Sequence, residues 1–253
     1  MSPKLELQQL ARQLGFYGLL ARWAEVEHEP WLSTLLELET AERGHRSLQR
    51  RIRHARLGAF KPMADFLWEW PSRIDRALID ELFTFQFLSE PSNVVLVGAN
   101  GLGKTMIAQN LAYQALMKGF TVCFTTASAM LNELAAQEGA TSLRRRFQRY
   151  VRPRLLIIDE VGYLSYDNRH ADLLFEVITQ RYQTSSIVLT TNKPFADWQD
   201  VFPNAACVVT LIDRLIHKAE IVHLEGNSFR LKEANERAVA RAGKQTTGRK
   251  TKQ

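Results

Sequence analysis

Residues 94–105 read Val-Val-Leu-Val-Gly-Ala-Asn-Gly-Leu-Gly-Lys-Thr, an apolar run followed directly by a glycine-rich turn. From Gly98 to Thr105 the turn fits the phosphate-binding pattern G-x-x-x-x-G-K-S/T at every position. The apolar run predicts a buried strand, and apolar residues at three- and four-residue spacing predict a helix over 104–117. A strand, a glycine-rich loop and a helix in this order predict an α/β fold that binds a nucleoside triphosphate.

Each residue type in this loop has a chemical task. Gly101 and Gly103 let backbone N–H groups turn toward phosphate oxygens, and the helix that follows adds the positive end of its dipole. Lys104 reaches the β and γ phosphates, and the Thr105 hydroxyl is a ligand for Mg²⁺. The predicted cofactors are ATP and Mg²⁺. The predicted loop contacts to the nucleotide are Gly98, Ala99, Asn100, Gly101, Leu102, Gly103, Lys104, Thr105 and Met106. The alternative is a glycine-rich turn with a solvated lysine.

Composition narrows the class of protein. With 253 residues and 45% hydrophobic content, the chain can form a nucleotide-binding domain and a smaller accessory region. Two cysteines, Cys123 and Cys207, are too few for a disulfide framework and fit a reducing compartment. The sequence shows no secretory leader and no apolar stretch of membrane-spanning length, so we expect a cytoplasmic protein without a membrane partner. The net charge of +6 favours a polyanionic partner without establishing one.

Periodicity predicts an all-helical region before an alternating β-α region. Helices are predicted over residues 5–26, from near Pro30 to Leu57, and over residues 75–88. Strands are predicted at residues 94–97, 121–125, 155–158, 187–190 and 207–211, with helical segments between them. Such alternation implies a parallel sheet with helices on both faces and the ligand at the carboxyl ends of the strands.

Proline and tryptophan residues at 62–71 predict a linker, because proline ends helices and restricts the residue before it. Trp68 and Trp70 are expected to pack within this linker rather than to stack on bases. The predicted domains are therefore a helical domain over 1–65 and a nucleotide-binding domain over 66–231. The polar, basic tail, 232–253, has no apolar periodicity and is expected to be disordered.

Two carboxylates follow the apolar run Leu155–Ile158 at once. At the end of a buried strand beside the phosphate loop, Asp159 is predicted to hold Mg²⁺ and Glu160 to act as general base on the attacking water. The alternative is an acidic turn after a core strand. Asn192 ends the next strand and is predicted to sense hydrolysis, although turn chemistry before a Lys-Pro pair also accounts for an asparagine.

Two basic clusters are candidate DNA contacts. Between residues 43 and 61 there is no acidic residue, and Arg43, Arg46, Arg50 and Arg53 share one helical face. A like-charge row of this kind costs helix stability unless something neutralises it, which favours DNA over a solvated face. In the second cluster, residues 144–154, the arginines could instead serve a subunit interface. Neither cluster contains a base-reading motif, so contacts to phosphate and sequence-independent binding are expected. The predicted contact residues are Arg43, Arg46, Arg50, Arg51, Arg53, Arg56, Lys61, Arg144, Arg145 and Arg146.

Several motifs together carry a family resemblance. They are Gly98–Thr105, the stretch 155–167 with its two carboxylates, Thr190–Asn192, Asp213–Leu215 and Gly226–Arg230. In combination they resemble the AAA+ ATPases of the IstB type, which are target-site helpers of insertion-sequence transposition and relatives of the DnaC-type helicase loaders. The resemblance implies a P-loop AAA+ domain of three α/β/α layers, preceded by a small α-helical domain and without a C-terminal lid. It also implies that Arg214 is an arginine finger acting in trans, and that Arg230 is a second sensor arginine, here reaching the nucleotide from a terminal hairpin.

Taken with this resemblance, the residues predict a DNA-dependent ATPase. We expect a homo-oligomer, as a ring or a helix, that assembles with ATP on duplex DNA and presents it to a cognate transposase. Three alternatives stay open at this point. They are a DnaC-like helicase loader, a phosphotransferase with a second substrate pocket, and a scaffold that binds ATP without hydrolysing it.

Overall fold

The structure is a computed structural model that describes residues 3–163, 166–202, 206–234 and 236–237. The chain divides into two compact units, Met1–Arg53 and His54–Gln253. No helix in these described ranges is both long and apolar enough to cross a membrane.

The N-terminal unit is helical, as predicted. It contains α1 (Pro3–Gln13), α2 (Tyr17–Ala21), α3 (Trp23–Val26) and most of α4 (Trp31–Ala55). Its core is formed by five buried apolar side chains, those of Ala11, Leu14, Trp23, Leu32 and Leu36. The single helix predicted over residues 5–26 is wrong, because Gly15 takes a left-handed φ of 70° and the chain turns there. As a result, Tyr17 leaves the predicted apolar face and is 75% exposed.

The second unit is an α/β domain with a five-stranded parallel sheet. The strands are β1 (Asn93–Gly98), β2 (Val122–Thr126), β3 (Leu155–Val161), β4 (Ser186–Thr191) and β5 (Ala219–Leu224). Their spatial order is β2-β3-β4-β1-β5, so the order of strands in the sheet is not their order along the chain. β1, β3 and β4 are almost wholly buried, as expected for strands covered on both faces. The predicted fold class is confirmed.

Helices connect and cover these strands. Before β1 lie α5 (Arg76–Leu82) and α6 (Gln86–Ser89). The later helices are α7 (Lys104–Met117), α8 (Ala127–Ala135), α9 (Ala140–Val151), α10 (Asn168–Arg181), α11 (Trp198–Val201) and α12 (Val208–Ile216). The one helix predicted over residues 75–88 is two helices, because Phe85 has a left-handed φ of 65° between them. The bounds predicted for α7 agree with the structure.

The strand predicted at residues 207–211 is wrong. This segment is the start of α12, with Cys207 at its N-cap, and the fifth strand is β5. Val208, Leu211 and Leu215 are buried at helical spacing, while Val209 between them is 68% exposed. A short apolar run cannot be assigned to a strand or a helix by periodicity alone, and here the burial pattern is helical.

The predicted linker residues pack against the nucleotide-binding domain. Gln109 and Asn110 on α7 donate side-chain hydrogen bonds to the carbonyl oxygens of Leu57 and Lys61, at 3.4 and 2.9 Å. The ring of Phe66 lies against Gly103 of the phosphate loop. The division between the two units falls after Arg53, twelve residues before the boundary predicted after residue 65.

The first residues of the predicted disordered tail are helical. Residues 229–234 and 236–237 are helical, so the start of the segment 232–253 is structured. Residue 235 and residues 238–253 lie outside the described part of the chain.

Candidate active site

Strand order decides which side chains meet. β4 lies between β1 and β3, so its carboxyl end separates the phosphate loop that follows β1 from the carboxylates at the end of β3. The loop is packed tightly at both ends. A Cβ on Gly98 would lie 2.2 Å from the Leu224 carbonyl oxygen, and Gly103 has a left-handed φ of 93° at the N-cap of α7. Both positions require glycine, the first for close approach and the second for backbone conformation.

Lys104 is buried, with 4% of its surface exposed. Its Nζ donates hydrogen bonds to the carbonyl oxygens of Gly98 and Ala99, at 2.6 and 2.8 Å. Burial lowers the pKa of Lys104 from 10.5 to about 8, against the opposing effect of Asp159, and the nearby Arg230 lowers the pKa further. The lysine is thus held where an added negative charge would strongly favour its protonated form.

Asp159 connects the loop to β4. It is 3% exposed, and its Oδ1 accepts hydrogen bonds from the hydroxyl groups of Thr105 (3.1 Å) and Thr190 (2.5 Å). The Thr190 hydroxyl also accepts a hydrogen bond from the Glu160 N–H at 2.9 Å. The carboxylate predicted to hold Mg²⁺ and the hydroxyl predicted to ligate it are therefore in direct contact.

The oxygen atoms at this point fit Mg²⁺. The ion binds carboxylate and hydroxyl oxygens, and it usually takes one or two protein ligands together with substrate phosphates rather than an all-protein cage. Thr105 and Asp159 provide two such ligands at the phosphate loop. The described residues contain no cluster of three or more histidine, cysteine, aspartate or glutamate side chains that could hold a metal ion.

Glu160 has an unusual backbone. Its φ is 63°, a left-handed value that is uncommon outside glycine, and the pairing of β3 with β4 shifts register between Ile158 and Val161. This irregularity separates the side chains of two adjacent carboxylates, because Asp159 is buried while Glu160 is half-buried. Asn192 lies close by. Its Oδ1 is 3.2 Å from the position that a Cβ on Gly162 would occupy, and that oxygen is buried without a hydrogen-bond partner among the described residues.

Arg230 lies beside the phosphate loop, although not on the predicted hairpin. It belongs to the helical segment 229–234, which is anchored where the Phe229 N–H donates to the Gly101 carbonyl oxygen at 3.0 Å. A cavity of about 350 Å³ borders the loop here, and Arg230 lines it together with Lys104 and Thr105.

Arg214 does not line this cavity. It lies in the last turn of α12, before β5. Its guanidinium donates a hydrogen bond to the Thr179 hydroxyl and lies 4.8 Å from the centre of the Phe175 ring. Within one chain, Arg214 therefore contacts α10 rather than the phosphate loop.

In the first basic cluster, some arginines form ion pairs that the sequence analysis did not predict. Arg43 and Arg46 each pair with a glutamate one turn earlier on α4, Glu39 and Glu42, at 2.6 Å. Arg43 also donates to the Leu14 carbonyl oxygen at 2.5 Å. The prediction that the row lacks acidic partners is therefore wrong for its first half, since the partners precede residue 43.

The second half of the cluster is exposed. Within the described ranges, Arg50 and Arg53 have no ion-pair partner, and Arg56 is also exposed at a left-handed φ of 55°. Arg51 differs, because it is half-buried and donates to the Ser47 hydroxyl at 2.8 Å. Lys61 is 3.8 Å from Glu233 and lines the cavity beside the phosphate loop.

The second basic cluster is also divided. On α9, Arg146 and Arg149 share the carboxylate of Glu133, which also accepts a hydrogen bond from the Tyr150 hydroxyl. By contrast, Arg144 and Arg145 are exposed and have no ion-pair partner among the residues that the structure describes.

Sequence reasoning missed three residues of the site. Thr190 carries the hydrogen bonds described above. In the sequence it was visible as a hydroxyl residue near the end of a predicted strand and as part of the motif Thr190–Asn192, but no contact was assigned to it. Tyr163 lines the cavity, and burial together with the nearby Glu160 raises the pKa of its phenol. Trp70 also lines the cavity, although we expected it to pack only within a linker.

Comparison with known proteins identifies relatives along the whole described chain. Residues 1–237 match the family model of the IstB-like ATP binding protein. The putative ATP-binding protein of insertion sequence IS5376 from Geobacillus stearothermophilus is 32% identical over 230 residues, which cover 91% of this chain and 92% of the relative. The putative ATP-binding protein of insertion sequence IS21 from Pseudomonas aeruginosa is 33% identical over 236 residues, covering 93% and 89%.

Two solved structures share the fold. AMPPCP-bound DnaA from Aquifex aeolicus superimposes with a TM-score of 0.57 at 19% identity, covering 72% of this chain and 55% of that one. The structure of DnaI gives 0.53 at 14% identity, covering 68% and 90%. The sheet, the phosphate loop and the relatives agree, and the chain belongs to the family of IstB-like ATP binding proteins of insertion sequences, with a fold similar to those of DnaA and DnaI.

Proposed function

We propose that this protein hydrolyses ATP with Mg²⁺ and uses the nucleotide to assemble on duplex DNA as a target-site helper of a transposase. The observation that carries the ATPase proposal is the contact between Thr105, Asp159 and Thr190. Three elements contribute one oxygen-bearing side chain each, at the point where the phosphate loop meets the carboxyl ends of the strands. Glu160 directly follows Asp159, so the carboxylate proposed to activate water lies beside the residues that would hold Mg²⁺, and a scaffold that only binds ATP would not need it.

The chemistry follows from the positions of the side chains. Lys104 would neutralise phosphate charge, and Thr105 and Asp159 would hold Mg²⁺, whose contribution when bound is to offset charge on the phosphate oxygens. Glu160, displaced from its neighbour by the left-handed backbone, would accept a proton from the attacking water. Asn192 has an unsatisfied buried amide oxygen near the same strand end, which supports a role in orienting that water.

The DNA and transposase parts of the proposal have different support. The relatives are named as ATP-binding proteins of insertion sequences, which supports a role beside a transposase. Exposed arginines without an ion-pair partner among the described residues support contact with phosphate, and we propose two short groups of them as the contacts. These are Arg50, Arg53 and Arg56 in one, and Arg144 and Arg145 in the other. Contacts of this type position a protein on DNA without reading its sequence.

Assembly is supported by the position of Arg214. Because this arginine does not reach the phosphate loop of its own chain, a role as arginine finger requires a second subunit. The DnaC-like loader, the first alternative from the sequence, shares the fold but has no observation in this structure that favours it.

The proposed hydrolysis can be tested with two variants of the site. Lys104→Ala should lose ATP binding, because Lys104 contacts phosphate in the ground state, whereas Glu160→Gln should bind ATP normally and lose turnover. Lys118→Ala is the matched control, since Lys118 is an exposed lysine at the other end of the same helix. ATP affinity is measured by equilibrium titration, and turnover by phosphate release with and without duplex DNA. Normal turnover by Glu160→Gln would exclude the proposed mechanism.

A further inference from the structure

Two distant segments of the chain join at the rim of the phosphate loop. Arg73 and Glu225 exchange backbone hydrogen bonds as an isolated antiparallel bridge, at 3.0 and 3.4 Å, and their side chains form an ion pair at 3.3 Å. Next to them, a Cβ on Gly226 would lie 3.0 Å from the Ser72 nitrogen, so the two backbones approach closely. We call the paired segments, residues 70–73 and 225–229, the strap.

Trp70 is the centre of the side-chain contacts across the strap. Its indole Nε1 donates a hydrogen bond to the Asn227 carbonyl oxygen at 2.8 Å. Its ring packs edge-on against Phe229, with 5.6 Å between centroids, and the Lys232 ammonium lies 4.4 Å from the ring centre. The Trp70 side chain therefore contacts three residues of the C-terminal segment, Asn227, Phe229 and Lys232.

Arg230 lies inside this path. The residues on either side of it are held by the phosphate loop and by Trp70, since Phe229 contacts both Gly101 and Trp70, and Lys232 contacts Trp70. Ser228 lies so close to Gly101 that a Cβ on Gly101 would be 2.2 Å from its Oγ. The direction in which Arg230 enters the cavity is thus set by contacts of the strap.

We propose that Trp70 is a positioning residue for the nucleotide site, which holds Arg230 toward the phosphates through the strap. In the described part of the chain, the hydrogen bonds, ion pairs and ring contacts of the segment 225–234 join it to the phosphate loop, to residues 61–73 and to its own neighbours. The contacts of the strap therefore hold Arg230 in position at the cavity. The inference rests on the proposed role of this site in ATP chemistry.

Coupling between Trp70 and Arg230 is the distinguishing consequence. If Trp70 acts through Arg230, Trp70→Ala and Arg230→Ala should each weaken ATP binding by about tenfold or more, the loss of a hydrogen bond to a charged group. The double variant should bind ATP about as tightly as whichever single variant binds it more weakly, because both substitutions remove the same interaction. If Trp70 only packs the domain, the two losses should multiply to about a hundredfold.

Conservative variants separate positioning from folding. Trp70→Phe keeps a ring between Phe229 and Lys232 and loses only the indole N–H, so its ATP affinity should stay within about threefold of the wild type. Lys232→Gln removes the cation over the Trp70 ring and should weaken binding by about twofold to fivefold. Lys118→Gln is its matched control, because Lys118 lies 5.6 Å from the Phe85 ring, on a different part of the same domain.

ATP affinity is measured on the full chain by equilibrium titration, with thermal unfolding as a check of each fold. Multiplying losses in the double variant, or equal affinity of Trp70→Ala and wild type, would overturn the proposal. Should Trp70→Ala fail to fold, the same cycle is made with Lys232→Gln and Arg230→Ala, and multiplying losses there overturn it equally. If the wild type binds ATP without hydrolysing it, the proposed ATPase activity is refuted. The coupling between Trp70 and Arg230 can then still be measured from the ATP affinities of the variants. A wild type that does not bind ATP would refute both.

Discussion

Near pH 8, Lys104 should take up a proton when ATP binds. Burial lowers the pKa of this lysine to about 8 in the nucleotide-free protein. The phosphates of ATP add negative charge at its ammonium group, which raises the pKa again. At pH 8 about half of the unliganded molecules carry a neutral lysine, and nearly all bound molecules carry a charged one, so about half a proton is taken up per ATP. At pH 7 the uptake falls to about a tenth.

The same equilibrium sets a pH dependence of affinity. Only about one lysine in eleven is charged at pH 9 in the free protein, against about ten in eleven at pH 7, so ATP affinity should fall about tenfold between these values. The free energy of unfolding should depend on pH in the opposite direction. Because the folded pKa lies below the unfolded value of 10.5, the unfolded chain binds more protons between pH 8 and 10.5, and the contribution of Lys104 to stability rises with pH in that window.

Calorimetric titration of ATP at pH 8, in buffers with different ionisation enthalpies, measures the uptake directly. Lys104→Arg is the informative control, since a guanidinium stays charged throughout this range and the uptake at pH 8 should vanish. Lys118→Ala should leave it unchanged. An uptake near zero in the wild type at pH 8, or equal ATP affinity at pH 7 and pH 9, would refute the account of Lys104 as a buried lysine charged by its ligand.

Three other predictions address the remaining parts of the site. Thr190→Val removes the hydroxyl shared by two hydrogen bonds and should lower the free energy of unfolding by about 1–3 kcal/mol, measured by denaturant titration; Thr190→Ser should restore most of it, and an unchanged stability would contradict the bridge. Arg214→Ala should reduce turnover by about 10³ or more, and mixing it with Glu160→Gln should recover part of the phosphate release; no recovery in confirmed co-assemblies would exclude a role in trans. Replacing Arg50 and Arg53 with glutamine should lower the slope of log affinity for duplex DNA against log salt concentration by about two units. Replacing Arg43 and Arg46, which are paired with glutamates on α4, should lower the slope less. Equal effects of the two replacements would mean that ion pairing does not determine which arginines contact DNA.

The nucleotide loop and its flanking elements were predictable from the sequence because their signals are local. A buried strand, a glycine-rich turn and a helix lie within 25 residues, and the helix over 104–117 has the predicted bounds. The same holds for Asp159 and Glu160, which follow the apolar run Leu155–Ile158 within β3. In each case the residues that define the element are adjacent in the chain, so pattern and propensity point to the same structure.

Features that depend on distant partners were not predictable. The apolar run at residues 207–211 suits a strand or a helix equally, and only burial of Leu211 and Leu215 on one face settles it as helix. Arg43 looked like a free phosphate contact, but its guanidinium meets the Leu14 carbonyl oxygen, 29 residues earlier. A charge pattern on one helix contains no information about carbonyl groups that another element brings to it.

Thr190 shows how the site itself depends on tertiary structure. Its position at the end of β4 was visible, but its role requires that β4 lie between β1 and β3, an order that the chain does not follow. In that order its hydroxyl reaches both the Asp159 carboxylate and the Glu160 backbone. The bond to the Glu160 N–H stabilises a left-handed residue that would otherwise be strained, and this backbone keeps Glu160 apart from its buried neighbour. Two adjacent carboxylates can therefore take different tasks because a hydroxyl group on a third strand holds the chain between them.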